Sequence, residues 1–237
     1  MVIYPAIDLY DGKAVRLFKG DYGQMTVYSE DPASVARDFK ACGADHIHLV
    51  DLAGAKSGKP ENLATIAAII DAFGGFVEVG GGIRDMDTVK KYIDIGVNRV
   101  ILGTAAVKDP DFLQAALTAY GDKIAVGVDI KDGFVAIKGW TETSELTAEA
   151  FFEKMQTLGV KTVICTDISR DGAMKGTNRD LYKALSEKFS IDLIASGGVS
   201  SMEDITALKV MGLHGAIIGK AYYTGAIELR NAIEVAR

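Results

Sequence analysis

Short runs rich in Val and Ile alternate with amphipathic stretches along the whole chain. The runs predict eight strands, at residues 2–8, 46–51, 75–80, 98–103, 123–129, 161–167, 191–196 and 214–219. The stretches predict eight helices, at residues 31–42, 61–73, 86–95, 109–120, 146–158, 178–189, 201–211 and 226–236. Strands that are apolar throughout are typical of a parallel sheet covered on both faces. Eight strand-then-helix units predict an α/β protein with a closed (β/α)8 TIM barrel, and an open doubly wound sheet is the alternative on this pattern alone.

The ends of several predicted helices carry residues that cap helices. Asp31 and Asp109 each precede a proline, so each places an N-cap side chain before a proline at the first helical position. Ser200 and Glu203 have the spacing of a capping box. Four glycines lie just past predicted helix ends, where a left-handed residue is expected: Gly43, Gly96, Gly159 and Gly212.

An internal repeat favours the closed barrel over the open sheet. Residues 77–105 align without gaps to residues 193–221, an offset of 116 positions (193 − 77 = 116). Residues 7–12 (IDLYDG) similarly match residues 128–133 (VDIKDG). Each half therefore supplies four strands to one barrel that spans the chain. The two similar half-barrels are predicted at about 1–121 and 122–237.

Glycines end four of the predicted strands, and the repeat relates them in pairs. In barrels of this kind the active site lies at the carboxyl ends of the strands. Glycine there lets backbone N–H groups approach an anion closely, which favours a phosphate site. The predicted phosphate-site residues are Gly81, Gly82, Gly103 and Thr104 in one half, and Gly197, Gly198, Gly219 and Lys220 in the other. Arg84 and Lys220 are the predicted charge complements, and glycines that only make tight turns are the alternative. Two such sites at one mouth imply a ligand that is phosphorylated at both ends.

Asp8 and Asp129 each follow a buried strand at matching positions of the repeat. Strands 1 and 5 of an eight-stranded barrel lie opposite each other, so both carboxylates are expected at one mouth, between the phosphate sites. Poor solvation raises the pKa of a carboxyl group, which suits the pair to acid–base catalysis. Aspartates that cap the next loop are the alternative. Asp51 and Asp167 also end strands and could equally orient loops, and His48 is either a core residue or a cavity residue.

Composition and short motifs argue against several other functions. The net charge of −6 is unfavourable for a general nucleic-acid surface. The first residues lack a secretory signal pattern, and no apolar segment approaches the ~18 residues of a membrane span. Cys42 and Cys165 lie in apolar surroundings, as is typical of reduced thiols in a cytoplasmic protein. CxxC, HExxH and clustered histidines are absent from the sequence, so we predict no metal site.

Several segments resemble one family, the histidine-biosynthetic phosphoribosylformimino-aminoimidazole carboxamide ribotide isomerases. The similar segments are residues 5–17 (PAIDLYDGKAVRL), 19–23 (KGDYG), 48–55 (HLVDLAGA), 79–84 (VGGGIR), 166–172 (TDISRDG) and 195–200 (ASGGVS). They are distributed over essentially the whole chain and are jointly specific. The resemblance implies a bisphosphorylated small-molecule substrate, no cofactor and no obligatory protein partner, so a cytoplasmic monomer is expected.

The resemblance also implies roles for individual residues. Asp8 would be the proton acceptor and Asp129 the proton donor of an Amadori rearrangement, which turns an N-linked aminoaldose into an aminoketose. Asp171 would assist in the active site, and Trp140 would either stack on the imidazole carboxamide or anchor a surface loop. The substrate phosphates would bind Gly81, Gly103 and Thr104 at one end, and Gly172, Gly198, Gly219 and Lys220 at the other. Two further residues of the similar segments complete the predicted site, Arg16 and His48.

Three other functions share parts of this pattern. A sister cyclase of the same biosynthesis has the duplicated barrel, both aspartates and both phosphate sites, but it uses ammonia from a glutaminase partner. Its opening motif has a cysteine where Ala6 stands in this chain. A dual-specificity isomerase that also acts on phosphoribosyl anthranilate shares the scaffold. A non-catalytic phosphosugar-binding protein would not need two opposed carboxylates. The isomerase is therefore the predicted function.

Overall fold

The computed structural model describes residues 1–18, 20–137, 140 and 142–237. The strands within these residues are β1 (Val2–Tyr10), β2 (Lys13–Phe18), β3 (Asp21–Ser29), β4 (His46–Asp51), β5 (Phe76–Gly80), β6 (Arg99–Leu102), β7 (Ile124–Lys131), β8 (Phe134–Ile137), β9 (Glu142–Thr147), β10 (Thr162–Asp167), β11 (Asp192–Ser196) and β12 (Gly215–Ile218). The α-helices within them are α1 (Pro32–Ala41), α2 (Leu52–Ser57), α3 (Leu63–Phe73), α4 (Met86–Asp94), α5 (Thr104–Lys108), α6 (Pro110–Tyr120), α7 (Ala148–Thr157), α8 (Arg179–Lys188), α9 (Met202–Val210), α10 (Lys220–Tyr223) and α11 (Leu229–Ala236).

Parallel strands close into a barrel around one axis. In the described part of the chain, the ring order is β1, β4, β5, β6, β7, β10, β11 and β12, and β12 pairs with β1 again. The pairing of β7 with β10 completes the ring. This closure confirms the predicted (β/α)8 barrel and rules out the open sheet. β1 and β7 are four places apart in the ring, so they lie on opposite sides of the barrel.

The helix caps follow the sequence signals with one correction. Asp31 and Asp109 accept hydrogen bonds from backbone N–H groups of the first turns of α1 and α6. The four glycines predicted at helix ends have φ between 76° and 97°, as expected. The predicted cap at Ser200 is wrong by one residue, because Ser201 accepts from the N–H of Asp204. Ser200 instead donates its own N–H and hydroxyl to the Asp204 carboxylate.

Two antiparallel hairpins extend the barrel rim, and the sequence pattern did not predict either of them. β1 continues past the barrel and turns into β2, and β7 continues in the same way into β8. Each turn is an Asp-Gly pair with positive φ at both residues, 49° and 76° at Asp11 and Gly12, and 51° and 84° at Asp132 and Gly133. Such turns join two strands with a two-residue loop. Strand β9 then follows β8, so α7 begins at residue 148, later than predicted.

Apolar side chains fill the barrel in two layers. One large cluster lies between the strands and the surrounding helices. A smaller cluster joins strands from opposite sides of the ring and therefore fills the interior: Tyr4, Ala6, Ile101, Ala125, Ile164, Ile194 and Ile217. Ile101 and Ile217 of this cluster occupy equivalent positions of the repeat, and both are buried. None of the helices in the described ranges has the length and apolar character needed to cross a bilayer.

Candidate active site

A cavity of about 400 Å³ opens at the carboxyl ends of the barrel strands. Every residue that the sequence predicted for the site lines it: Asp8, Arg16, His48, Gly81, Gly82, Arg84, Gly103, Thr104, Asp129, Trp140, Asp171, Gly172, Gly197, Gly198, Gly219 and Lys220. The volume is in the range of small-ligand sites. Because parallel strands all end at the same rim, residues from distant parts of the chain meet at this cavity.

Asp8 forms an ion pair with Arg16 across the first hairpin. The Arg16 Nη1 atom lies 2.7 Å from Asp8 Oδ2, and both side chains are largely buried. Burial lowers the pKa of Arg16, but the charges of Asp8 and Asp171 raise it to a net value above the usual range. Burial raises the pKa of Asp171, and the Arg16 charge opposes that effect. Asp8 thus lies in a cluster of two carboxylates, its own and that of Asp171, around one permanent cation.

Asp129 has neutral hydrogen-bond partners instead of a cation. The indole Nε1–H of Trp140 donates to Asp129 Oδ2 over 2.8 Å. Burial raises the pKa of Asp129, hydrogen bonds from Trp140 and Thr166 lower it, and the charge of Asp171 raises it, with a net increase. A carboxyl group with a raised pKa holds its proton to higher pH, which is the property required of a general acid.

Glycine is present at the strand ends for two different physical reasons, tight backbone packing and open space in the cavity. A Cβ on Gly81 or Gly197 would overlap the backbone carbonyl of the preceding strand end. A Cβ on Gly82 would overlap the carbonyl of Gly54 in α2, and one on Gly198 the carbonyl of Gly176. These four glycines, all with positive φ, are required by tight backbone packing. Gly103 has open space at its Cβ position, with no heavy atom within 4 Å. Its lack of a side chain therefore enlarges the cavity and serves no packing contact.

Cationic side chains lie at both ends of the cavity. Lys220 Nζ donates to the carbonyl oxygen of Gly172 over 3.1 Å and lies 5.5 Å from the centre of the Phe18 ring. The Arg16 guanidinium lies directly against Gly219, where a Cβ would overlap it. On the other side, Arg84 Nη2 contacts the carbonyl oxygen of Ala55 at 3.4 Å.

The comparisons with known proteins agree with this geometry. The family model described as "Histidine biosynthesis protein" matches residues 2–228. The chain belongs to this family. A relative from Ruminiclostridium cellulolyticum is 50% identical over 233 residues, covering 98% of this chain and 99% of the relative. Relatives from Acetivibrio thermocellus (46% identical, 100% of both chains) and Synechocystis sp. (50% identical, 98% of this chain and 92% of the relative) are also similar. All three relatives are named as imidazole-4-carboxamide isomerases, and the compound in their name contains two phosphoribosyl groups.

In this member of the histidine biosynthesis family, Asp51 and Asp167 point away from the cavity and orient loops. Asp51 is fully buried and accepts hydrogen bonds from the backbone N–H groups of Gly54, Glu61 and Asn62, and from the Asn62 side chain at 2.7 Å. Asp167 accepts from Asn178, which occupies the position of Asn62 in the repeat (178 − 62 = 116). The repeat has therefore preserved a structural hydrogen bond at both strand ends.

Sequence reasoning missed Thr166 and Tyr22, which also line the cavity of this family member. Thr166 is paired with Asp129 in the β7–β10 register and hydrogen-bonds its carboxylate. The signal for it was the alternation of β10, since Thr166 faces the interior when Asp167 faces the helices. Tyr22 comes from β3 and donates its hydroxyl to the carbonyl oxygen of Leu52 over 3.0 Å. It had no comparable signal, because the pattern did not predict that strand.

His48 lies on β4 and is mostly buried below the cavity rim. Its Nδ1 atom is 2.6 Å from Oε1 of Glu78 on the adjacent strand β5. The sequence left open whether His48 is a core or a cavity residue, and the structure places it at the boundary between the two. Within the described ranges, His, Cys, Asp and Glu side chains form no cluster of three or more that could hold a metal ion.

Proposed function

We propose that this protein isomerises an N-linked aminoaldose that carries two phosphoribosyl groups and an imidazole carboxamide into the corresponding aminoketose. The observation that carries this proposal is the pair Asp8 and Asp129, which lie on opposite strands of the barrel and line one cavity in unlike electrostatic surroundings. Relatives that cover nearly the whole chain are named for an isomerase of this class of compound.

Asp129 acts as the acid in the first step. Its raised pKa keeps a proton available, and it delivers this proton to the ribose ring oxygen. The bond between that oxygen and C1 breaks, and the nitrogen lone pair forms a C1=N bond, so the ring opens to a protonated Schiff base. Trp140 and Thr166 then stabilise the newly formed carboxylate through the hydrogen bonds they already make.

Asp8 acts as the base in the second step. It removes the proton from C2, and the electrons of the C–H bond form a C1=C2 double bond while the iminium nitrogen becomes neutral. The resulting enol loses its hydroxyl proton and gains a proton at C1, which gives the ketone. The ion pair with Arg16 holds the Asp8 carboxylate in place at the rim of the cavity.

The two ends of the substrate bind at the glycine-lined ends of the cavity. Gly81, Gly103 and Thr104 hold one phosphate, and the other binds Gly172, Gly198, Gly219 and Lys220. Gly82, Arg84 and Gly197 complete these two ends, and Asp171, Arg16, His48 and Trp140 surround the reacting sugar between them. Binding both phosphates positions the small reacting centre between the two carboxylates.

The proposal is tested with the purified protein alone and the aminoaldose bisphosphate, without ammonia or a glutaminase. Formation of the open-chain aminoketose is expected. Asp8→Asn should lose at least ~10²-fold in kcat while substrate binding is retained. Asp11→Asn is the matched control, because Asp11 is an exposed turn residue on the same hairpin and asparagine tolerates its positive φ.

Other outcomes of this assay would assign other functions. A ring-closed product that requires ammonia would identify a cyclase. Turnover of phosphoribosyl anthranilate as well would identify a dual-specificity isomerase. Tight binding of the substrate without any turnover would identify a non-catalytic binding protein and refute the proposal.

A further inference from the structure

A chain of polar side chains crosses the otherwise apolar interior of the barrel below the cavity. Glu78 is completely buried between His48 and Arg99. Its Oε1 atom contacts His48 Nδ1 at 2.6 Å, and its Oε2 atom accepts from Arg99 Nε at 2.8 Å. Arg99 Nη2 also donates to the hydroxyl of Tyr4 over 2.9 Å. A buried charge that makes several good hydrogen bonds is held in one fixed geometry.

The chemistry of Glu78 determines which nitrogen of His48 carries a proton. Burial raises the pKa of Glu78, but its hydrogen bonds to His48 and Arg99 and the permanent positive charge of Arg99 bring it below the usual range. Glu78 is therefore ionised, and an ionised carboxylate can only accept hydrogen bonds. The proton of this contact must lie on His48 Nδ1. In the neutral ring, Nε2 then carries a lone pair and no hydrogen.

The remaining surface of the His48 ring faces the cavity. Among the described residues, Nδ1 makes the only hydrogen bond of the ring, and no buried side-chain nitrogen or oxygen lacks a partner. Nε2 is thus not enclosed by protein, and His48 lines the cavity. The strand register places His48 beside Ala6, and places Val50, two residues further along β4, beside Asp8. Because side chains two apart share a face, His48 lies one layer below Asp8 on the neighbouring strand.

We propose that Glu78 is a positioning residue for substrate binding, because it orients His48 so that Nε2 accepts a hydrogen bond from a hydroxyl or amide N–H of the substrate. This inference rests on the proposed function for the identity of the substrate. The geometric part does not depend on it, because the protonation of the ring is a property of the free protein. The alternative is that Glu78 only neutralises Arg99 and has no connection with the substrate.

The variant Glu78→Gln separates these two roles. A glutamine has one side-chain oxygen, and the charged Arg99 is the stronger donor to it. The amide NH₂ group then faces His48 and donates to Nδ1, so the proton of the ring moves to Nε2. The Nε2–H group of His48 then faces the hydrogen-bond donor of the substrate and cannot accept from it. The value of kcat/KM should therefore fall roughly three- to tenfold, the effect of one hydrogen bond. In a His48→Ala background, Glu78→Gln should cause no further loss.

The protonation is read directly from nitrogen-15 NMR of the imidazole rings at alkaline pH in the free protein. The chain has three histidines, and the His48→Ala variant identifies the signals of His48. Wild type should show the Nδ1–H form and Glu78→Gln the Nε2–H form. A wild-type His48 ring that is protonated on Nε2 would overturn the proposal even if the Glu78→Gln variant did not fold. The proposal would also be overturned if Glu78→Gln lowered kcat/KM by the same factor in the wild-type protein and in the His48→Ala variant.

Tyr4→Phe is the matched control for a merely structural role. It removes a hydrogen bond to Arg99 from the same buried chain but does not touch His48. It should lower the melting temperature without changing the protonation of His48 or kcat/KM. If Tyr4→Phe lowered kcat/KM as much as Glu78→Gln does, any damage to this row of buried polar side chains would affect the site. That result would overturn a specific role for Glu78. A wild-type protein without isomerase activity would refute the proposed function and leave the NMR result to decide the geometry.

Discussion

Replacement of Asp129 with asparagine tests the proposed acid and its surroundings together. Asparagine has nearly the same shape, and its side-chain oxygen can still accept the hydrogen bond from Trp140 Nε1–H. The side chain can no longer donate a proton to the ring oxygen of the substrate. We expect kcat to fall at least ~10²-fold, as is usual for the loss of a general acid, while substrate affinity remains close to that of the wild type.

The same substitution should change stability in a pH-dependent way. Burial, as the largest cause, and the charge of Asp171 raise the pKa of Asp129 in the folded state. Between the unfolded pKa of about 3.9 and the raised folded pKa, the folded protein binds more protons than the unfolded chain. The free energy of unfolding of the wild type therefore decreases with rising pH in this window, by up to about 1.4 kcal/mol per pH unit. Asp129→Asn lacks this loss, so its stability relative to the wild type should increase through the window and stay constant above it.

Urea denaturation followed by circular dichroism, at a series of pH values from acidic to neutral, measures this difference. Asp132→Asn is the control, because Asp132 is an exposed turn residue of the same hairpin with positive φ. It should change neither turnover nor the pH dependence of stability. The reasoning would be refuted if Asp129→Asn kept full turnover, or if the difference in stability between the variant and the wild type did not change with pH.

Four further substitutions test the site and the loops around it. Gly82→Ala adds a Cβ at φ 71° against a backbone carbonyl, so denaturation should show a free energy of unfolding lower by more than about 2 kcal/mol. Gly103→Ala should fold normally, because the Cβ position is open, and steady-state kinetics should show a higher KM. Asp51→Ala, which leaves several buried N–H groups without an acceptor, should cost about 3–5 kcal/mol in urea denaturation. Trp140→Phe removes a hydrogen bond that lowers the pKa of Asp129, so the alkaline limb of the kcat/KM pH profile should move to higher pH.

The barrel could be predicted because its strands are buried on both faces and repeat with a fixed offset. The hairpin strands could not be, since their side chains lack an alternation of buried and exposed positions. Almost every residue of β3 is exposed, and β9 is nearly as exposed. An exposed strand of mixed polarity has the same composition as a loop. The Asp-Gly pairs at 11–12 and 132–133 are typical turn residues, but their apolar flanks are too short to indicate a hairpin.

The site was predictable where it depends on strand ends, and unpredictable where it depends on contacts between distant segments. All strand ends meet at one rim, so the glycines and Asp8 and Asp129 could be assigned to one cavity. The packing of Arg16 against Gly219 joins residues about two hundred positions apart, and no local pattern indicates it. Strand alternation places only one of Thr166 and Asp167 toward the barrel interior, but it does not say which of the two faces points inward.

The unlike surroundings of Asp8 and Asp129 follow from small differences between two nearly equivalent hairpins. Both carboxylates have the same register, since Asp8 pairs with Val15 and Asp129 with Ala136, each 121 positions apart in the repeat (129 − 8 = 136 − 15 = 121). The next position along the hairpin is Arg16 in the first half and Ile137 in the second. The equivalent neighbours on the adjacent barrel strands are Val50 beside Asp8 and Thr166 beside Asp129.

These differences between the halves give Asp8 and Asp129 unlike electrostatic surroundings. At one hairpin the permanent cation Arg16 forms an ion pair with Asp8. An aliphatic side chain at the equivalent position, with neutral donors nearby, leaves the effect of burial dominant at the other carboxylate and favours the protonated acid. A duplicated half-barrel with identical surroundings would give two equivalent carboxylates and no preferred direction of proton transfer. The difference between Arg16 and Ile137, together with that between Val50 and Thr166, is therefore the physical basis of the base and acid roles proposed for Asp8 and Asp129.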